Sequence, residues 1–201
     1  MTPALPVTHL LYLHGFRSSP QSAKARRMAA EVETLRGTGR AISWCCPQLP
    51  PSPTEADALI EAATNGWPVA TTAVIGSSLG GFYATVWAER RGWRAVLLNP
   101  AVAPARDLAA YIGEHHAWHG PALRFDFTAA HVAQLQAMRP AAITVPDRYL
   151  AVIAKGDELL DWREMQGRYP GARIKLLAGS DHALSDFEEH LPDILQFLGP
   201  G

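Results

Sequence analysis

The chain has 201 residues, 48% of them hydrophobic, with 18 Lys and Arg against 19 Asp and Glu and a formal net charge of −1. This length suits one domain with a sizeable core, and the hydrophobic share excludes a disordered chain. The balanced charge lacks the basic excess of nucleic-acid binders, so we expect no nucleic-acid partner and interpret the basic residues at 24–27 as a solvated helix face.

Short apolar runs alternate with longer amphipathic segments, a pattern typical of βαβ units and a parallel sheet. The apolar runs predict six strands, at 9–13, 42–46, 73–77, 95–98, 149–154 and 174–177. Several of these runs are apolar throughout, as expected of strands that helices cover on both faces. The amphipathic segments predict helices at 22–36, 54–64, 79–91, 162–168 and 185–198.

Two of these helices carry end signals. Thr54 precedes acidic Glu55 and is predicted as an N-cap, and Gly92 follows two arginines and is predicted as a C-cap. The proline-rich segment 47–53 is predicted as a loop.

The segment 99–148 interrupts the alternation. It contains no clean strand pattern, and helical patterns appear only at 107–114 and 128–138. Because a long connection inside a compact domain is usually functional or mobile, we predict a small cap over the active site, roughly at 101–147. Residues 1–201 are otherwise expected to form one domain.

The two cysteines, Cys45 and Cys46, are adjacent. Neighbouring side chains on a strand point to opposite faces, so we expect two reduced thiols rather than a disulfide. The first seven residues lack the features of a signal peptide, and no run approaches the roughly 18 apolar residues of a membrane span. We therefore expect a cytoplasmic protein without a membrane partner.

The strongest motif is GSSLG at 76–80, which follows an apolar strand and opens a helix. This is G-x-S-x-G in the strand–turn–helix context that places a nucleophilic serine, here Ser78, at the tip of a strained turn. Gly76 and Gly80 are interpreted as positions where a Cβ would collide with a neighbouring element. A chance glycine-rich turn is the alternative. A phosphate-binding loop would need Lys followed by Ser or Thr where this chain has Gly81 and Phe82.

A serine hydroxyl needs a base, and in this type of site the chain order is serine, acid, histidine. His182 follows the last predicted strand and is the predicted base, whereas His190 lies within the next helix and is interpreted as a surface residue. Asp157 follows the preceding strand and is the predicted acid. Glu158 and Asp161 remain alternatives, and Asp157 has an alternative role as a turn or cap residue.

An oxyanion hole needs two backbone donors, and the residue after the nucleophile, Leu79, supplies one N–H. The second is assigned to Phe16, in the Leu-His-Gly-Phe segment that follows the first strand. His14 is interpreted as a brace for that loop.

Three histidines at 115, 116 and 119 are the only other candidate site. A metal site there is the alternative to polar residues that line an acyl pocket, but no convincing carboxylate completes it. We predict no metal and no cofactor.

Five sequence blocks resemble the YqiA-like esterases, a compact branch of the α/β hydrolases. The blocks lie at 13–20, 75–84, 98–101, 156–161 and 179–182. The resemblance implies a cofactor-free serine esterase for short acyl esters or acyl-CoA thioesters, with Ser78, Asp157 and His182 as its triad. The segment around 115–119 departs from the family pattern.

These inferences predict an α/β-hydrolase fold, with a mainly parallel six-stranded sheet, helices on both faces and a small cap. The predicted function is a serine hydrolase that cleaves short-chain acyl esters through an acyl-enzyme. The alternatives are an acyl-CoA thioesterase or amidase with the same triad, and a non-catalytic binding module. A small-molecule ester or thioester is the expected partner, and the oligomeric state is left open.

Overall fold

The strands and helices follow the predicted alternation. The structure, a computed structural model, describes residues 5–117 and 120–199. The strands are β1 (His9–Leu13), β2 (Ser43–Cys45), β3 (Thr72–Ser77), β4 (Arg94–Leu98), β5 (Gly113–Ala117), β6 (Gly120–Phe127), β7 (Tyr149–Ala154) and β8 (Arg173–Leu177). The helices are α1 (Ala23–Gly37), α2 (Pro53–Ala63), α3 (Leu79–Arg91), α4 (Pro104–Leu108), α5 (Ala129–Met138), α6 (Trp162–Arg168) and α7 (Phe187–Leu198).

The main sheet has six strands in the order β2-β1-β3-β4-β7-β8, and every neighbouring pair is parallel. All six predicted strands are confirmed, each within one residue of its predicted bounds. Because the strands are parallel, their carboxyl ends meet at one edge, which we call the carboxyl edge of the sheet. The loops after β1, β3, β4, β7 and β8 therefore converge there.

Apolar side chains cover both faces of the sheet. One core contains Ile60, Trp87 and Met165, from α2, α3 and α6. The other contains Met28 from α1 and Ile194 from α7. Helices on both faces explain why β3 and β7 are buried along their whole length and read as continuous apolar runs. The predicted fold class is confirmed.

One predicted helix boundary is wrong and another is right. The N-cap of α2 is Ser52 rather than Thr54, and its hydroxyl accepts the N–H of Glu55 at 3.4 Å. Pro53 occupies the first helical position, where its fixed φ suits the helix and its missing N–H costs nothing, so the helix begins earlier than predicted. Gly92 ends α3 in the left-handed conformation, with φ of 74°.

The segment 101–147, which we call the insert, differs most from the prediction. The predicted absence of strands is wrong, because β5 and β6 pair as an antiparallel hairpin. The predicted helix at 107–114 is also wrong: α4 ends at Leu108, and only a short 3₁₀ turn follows. Gly113, with φ of 138°, starts the hairpin in a conformation that helices do not use. The predicted helix at 128–138 is confirmed as α5, which Thr128 caps.

The interpretation of His190 as a surface residue is wrong, since it is only 5% exposed. It precedes Leu191 on the buried side of α7, and its Nε2 lies 3.2 Å from Asp186 Oδ2. Cys45 and Cys46 are both free thiols and partly buried. Among the helices described, none is long and apolar enough to cross a membrane.

Candidate active site

Ser78 occupies the sharp turn between β3 and α3. Its φ of 55° is rare for a residue with a side chain, and its N–H donates to Leu98 O at 3.0 Å. The turn is tight on both sides of the serine. A Cβ on Gly76 would lie 2.1 Å from Gly80 O, and a Cβ on Gly80 would lie 1.9 Å from Leu13 O. Only glycine fits either position, which explains the spacing of the motif.

The structure brings the three predicted triad side chains together from three separate loops. His182 Nε2 lies 3.0 Å from Ser78 Oγ, and His182 Nδ1 lies 2.7 Å from Asp157 Oδ2. The Asp157 side chain has no exposed surface, whereas that of His182 is 16% exposed. The second carboxylate oxygen of Asp157 accepts the N–H groups of Leu159 and Leu160 at 2.9 and 2.8 Å. These bonds satisfy a buried carboxylate and fix the direction of Oδ2.

The two alternative acids have other partners. Glu158 Oε2 accepts the backbone N–H of His182 at 3.0 Å and so contacts the loop rather than the imidazole. Asp161 caps α6, where its side chain accepts the N–H of Arg163 at 2.9 Å. Asp157 is therefore the carboxylate that contacts the ring of His182.

The loop after β1 lies against the serine. A Cβ on Gly15 would lie 3.2 Å from Ser78 Cβ, so this loop passes directly beside the turn of Ser78. His14 is 3% exposed, and its Nε2 accepts the N–H of Leu49 at 3.0 Å. That bond leaves Nδ1 protonated to donate to Gly15 O at 2.9 Å. The ring of His14 thus holds the loop after β1 against Leu49.

The two residues predicted to supply the oxyanion donors directly follow Ser78 and Gly15 in the chain. Leu79 is the first residue of α3, where the first N–H groups of a helix have no partner within the helix. Phe16 follows Gly15, and its ring makes edge contacts with Phe125 at 5.9 Å and Phe127 at 5.2 Å between centroids. The hairpin of the insert is therefore packed against the residue that carries the second predicted donor.

A second contact joins the same loop to the insert. Arg17 has φ of 59°, and its Nε donates to the backbone oxygen of His116 at 3.0 Å. The loop after β1 thus contacts the serine turn on one side and the hairpin on the other.

A cavity of about 840 Å³ opens on Ser78 and His182. Apolar side chains of the insert and of the loop after β7 form part of its wall, among them Leu108, Tyr111 and Leu160. A volume of this size accommodates a small organic substrate.

Lys24 of α1 lies on the wall of this cavity beside the loop of His182. Burial lowers the pKa of Lys24 to about 8, although Asp181 and Asp157 act in the opposite direction. Its ammonium group donates to the backbone oxygen of Ala183. The charge of this group therefore changes within the range in which enzymes are assayed.

The histidines of the insert do not assemble a metal site within the part of the chain that the structure describes. Over residues 5–117 and 120–199, no group of three His, Cys, Asp or Glu side chains is placed to hold a metal ion. His115 is in contact with Phe16, with 5.5 Å between ring centroids, and its Nε2 lies 2.5 Å from Tyr111 O. His119 lies outside the described residues.

Asn99 contacts the candidate site, although the sequence alone predicted no role for it. It follows β4 at the carboxyl edge, is fully buried and has φ of 42°. Its side-chain amide contacts the backbone of the loop that carries His182. The available signal was a polar residue directly after a buried parallel strand, at the edge where such sheets place their sites.

Comparison with known families identifies the family of this chain. The sequence model of the family described as "Uncharacterised protein family (UPF0227)" matches residues 9–199. The chain belongs to this family. UPF0227 is the YqiA family of esterases, so the resemblance seen in the sequence blocks is confirmed.

Solved structures of α/β hydrolases share the fold of this UPF0227 chain. One, from work on the metagenome-derived lipolytic enzymes LipS and LipT, has a TM-score of 0.70 at 20% identity, covering 97% of this chain and 95% of its own. The mouse alpha/beta hydrolase domain-containing protein 10 has a TM-score of 0.69 at 13% identity, covering 94% and 90%. The carboxylesterase CesB of Bacillus subtilis has 0.56 at 16%, covering 96% and 84%. At these identities the likeness establishes the fold.

Proposed function

We propose that this protein is a serine hydrolase that cleaves short-chain acyl esters through an acyl-enzyme intermediate. One observation carries the proposal: Ser78 Oγ, the imidazole of His182 and the carboxylate of Asp157 form a continuous chain of contacts at 3.0 and 2.7 Å. Nucleophile, base and orienting acid at these separations are the arrangement that activates a serine. Membership of an esterase family and the α/β-hydrolase fold support the same chemistry.

In the first half-reaction, Ser78 Oγ attacks the acyl carbonyl carbon while His182 Nε2 takes its proton. Asp157 accepts the Nδ1–H of the ring, which fixes the tautomer with a free Nε2 and stabilises the imidazolium that forms. The tetrahedral intermediate collapses as His182 returns the proton to the departing alcohol. The acyl group is then an ester of Ser78.

In the second half-reaction, water takes the place of the alcohol. His182 accepts a proton from the water as its oxygen attacks the acyl-enzyme. The proton then passes to Ser78 Oγ, and the carboxylic acid leaves. Both halves use the same base and need no metal or redox group.

The N–H groups of Phe16 and Leu79 are proposed to stabilise the negative oxygen in both intermediates. A backbone donor of this kind is worth about 2.7–4 kcal/mol in the transition state. The close approach of Gly15 to Ser78 supports this assignment, because Phe16 and Leu79 directly follow these two residues in the chain. Since the donors belong to the backbone, changes to the loop's supports affect them more than changes of side-chain chemistry.

Replacement of the nucleophile tests the proposal directly. Ser78→Ala should lower kcat for an activated butyryl ester by roughly 10⁴-fold or more, because the attacking oxygen is removed. Thr72→Val, at the far end of β3, is the matched control and should retain activity. Full activity in Ser78→Ala would overturn the proposal.

The alternative substrates use the same triad, so matched substrates separate them. Acetyl and butyryl groups presented as ester, thioester and amide should give the highest kcat/KM for the ester. A higher value for the thioester or the amide would identify a thioesterase or an amidase. No turnover of any of the three would favour the non-catalytic binding module.

A further inference from the structure

We infer that Asn99 is a positioning residue that holds the loop of His182 in register with the strand that leads to Asp157. The inference rests on the proposed function, since it concerns the base and the acid of the same triad. It goes beyond that function in assigning a role to a side chain that takes no part in proton transfer.

The side-chain oxygen of Asn99 binds β7, the strand that leads to Asp157. Its Oδ1 accepts the N–H of Ala154 at 2.8 Å, and its own backbone N–H donates to Val152 O at 3.0 Å. Ala154 is the last residue of β7, three positions before Asp157. Asn99 is thus fixed to β7 by two bonds, close to where the acid's loop begins.

The side-chain nitrogen of Asn99 binds the loop that carries His182. Its Nδ2 donates to Asp181 O at 2.9 Å and to His182 O at 3.3 Å. A side-chain amide carries an acceptor oxygen and two N–H donors on one planar group. It can therefore accept from an N–H group on one segment and donate to C=O groups on another. Asn99 therefore connects the strand before the acid with the backbone of the base itself.

Two contacts of this loop with exposed side chains are weaker candidates for the same task. Glu158, which accepts the N–H of His182, and Ser185, which binds Asp181, are both exposed, so water competes for their bonds. Asn99 is 0% exposed, and buried hydrogen bonds are costly to leave unmade. Asparagine is also among the few residues that accept its left-handed φ of 42°.

Two variants separate the donor from the rest of the side chain. Asn99→Asp keeps the size and the acceptor toward Ala154, but its carboxylate repels the carbonyl oxygens of Asp181 and His182. Asn99→Gly keeps the left-handed backbone and removes every side-chain bond. Thr72→Val is the control for stability, because it removes the hydrogen bond of a buried side chain to Pro68 O at the opposite edge of the sheet.

Both Asn99 variants should lower kcat on the butyryl ester by about 10²-fold, the usual cost of displacing a catalytic group by about 1 Å. KM should stay within about twofold, since Asn99 does not reach the cavity wall. The rate constant for covalent labelling by a fluorophosphonate should fall with kcat. Thr72→Val should leave all three quantities unchanged even where its melting temperature falls as far as those of the Asn99 variants.

The inference is overturned if either Asn99 variant, folded by circular dichroism, keeps kcat within threefold of the parent. The inference is also overturned if Thr72→Val and the two Asn99 variants all lose activity in the same proportion to their loss of stability. The role of Asn99 would then be structural. Failure of the proposed function gives a different result: the parent itself remains unlabelled, or Ser78→Ala keeps its activity.

Discussion

The carboxyl edge of the sheet and the insert both border the cavity, but different forces hold them. At the edge, backbone hydrogen bonds and missing Cβ atoms fix the geometry, as at Gly76, Gly80 and Asn99. The insert instead meets the loop after β1 through side-chain rings on Phe16 and a hydrogen bond from Arg17 to the backbone of His116. A backbone-determined site tolerates little change, whereas a contact between side chains weakens gradually.

The largest expected difference is in stability, between an alanine substitution of a glycine at the carboxyl edge and one in the insert. Gly80→Ala places a Cβ 1.9 Å from backbone oxygen of Leu13, which cannot move without disrupting β1, so we expect loss of folded protein. Gly113→Ala in the insert meets nothing within 4 Å and suffers only from its φ of 138°, which costs about 1–3 kcal/mol. Soluble yield and urea unfolding measure both. A Gly80→Ala protein as stable as the parent would contradict this account of the turn.

The next largest effect separates two adjacent carboxylates at the edge. Asp157→Asn should lower kcat by about 10⁴-fold, because an amide at this position no longer fixes the tautomer of His182. Glu158→Gln should lower kcat less than about tenfold, because an amide oxygen still accepts the N–H of His182. Steady-state kinetics on the butyryl ester provide both values. The assignment of the acid is wrong if the order is reversed.

An intermediate effect is expected from the insert. Phe125→Ala removes an edge contact on Phe16, and such pairs contribute about 0.5–1.5 kcal/mol. Because Phe16 carries a proposed oxyanion donor, kcat/KM should fall roughly two- to tenfold. Phe197→Ala, which removes a partly buried ring from α7, should lower stability without this loss. Equal activity in the two variants would mean that the insert does not support the loop after β1.

The smallest effect is a pH dependence of stability from Lys24. Its pKa falls from 10.5 to about 8 on folding, so between these values the unfolded chain binds more protons than the folded one. Its contribution to the free energy of unfolding therefore increases as the pH rises through this range. Lys24→Met removes that contribution. Urea unfolding at pH 7.5 and 9.5 should show that the stability of Lys24→Met, relative to the parent, decreases as the pH rises. A relative stability that increases with pH would contradict the burial of this ammonium group.

The same contrast explains what the sequence could predict. The six strands and the glycine spacing around Ser78 depend on local patterns, namely continuous apolar runs and a short motif. Chain order then predicted Asp157 and His182 as the acid and the base, because parallel strands bring their carboxyl ends together. The bonds of Asn99 link residues more than fifty positions apart, so no local pattern revealed them.

The hairpin of the insert was missed for a related reason. Within residues 5–117 and 120–199, its strands pair only with each other. Its rings contact Phe16, about a hundred residues away in the chain, so its own sequence shows no clear alternation. His190 was misplaced because a polar residue on an amphipathic helix is usually exposed, whereas here it lies within the buried face of α7.

Covalent labelling tests the central claim most directly. A fluorophosphonate added to the parent protein should attach to one residue, and peptide mass spectrometry should locate it at Ser78, with labelling lost in His182→Ala. An unlabelled parent protein, or a label elsewhere that persists in Ser78→Ala, would contradict the claim that His182 activates this serine.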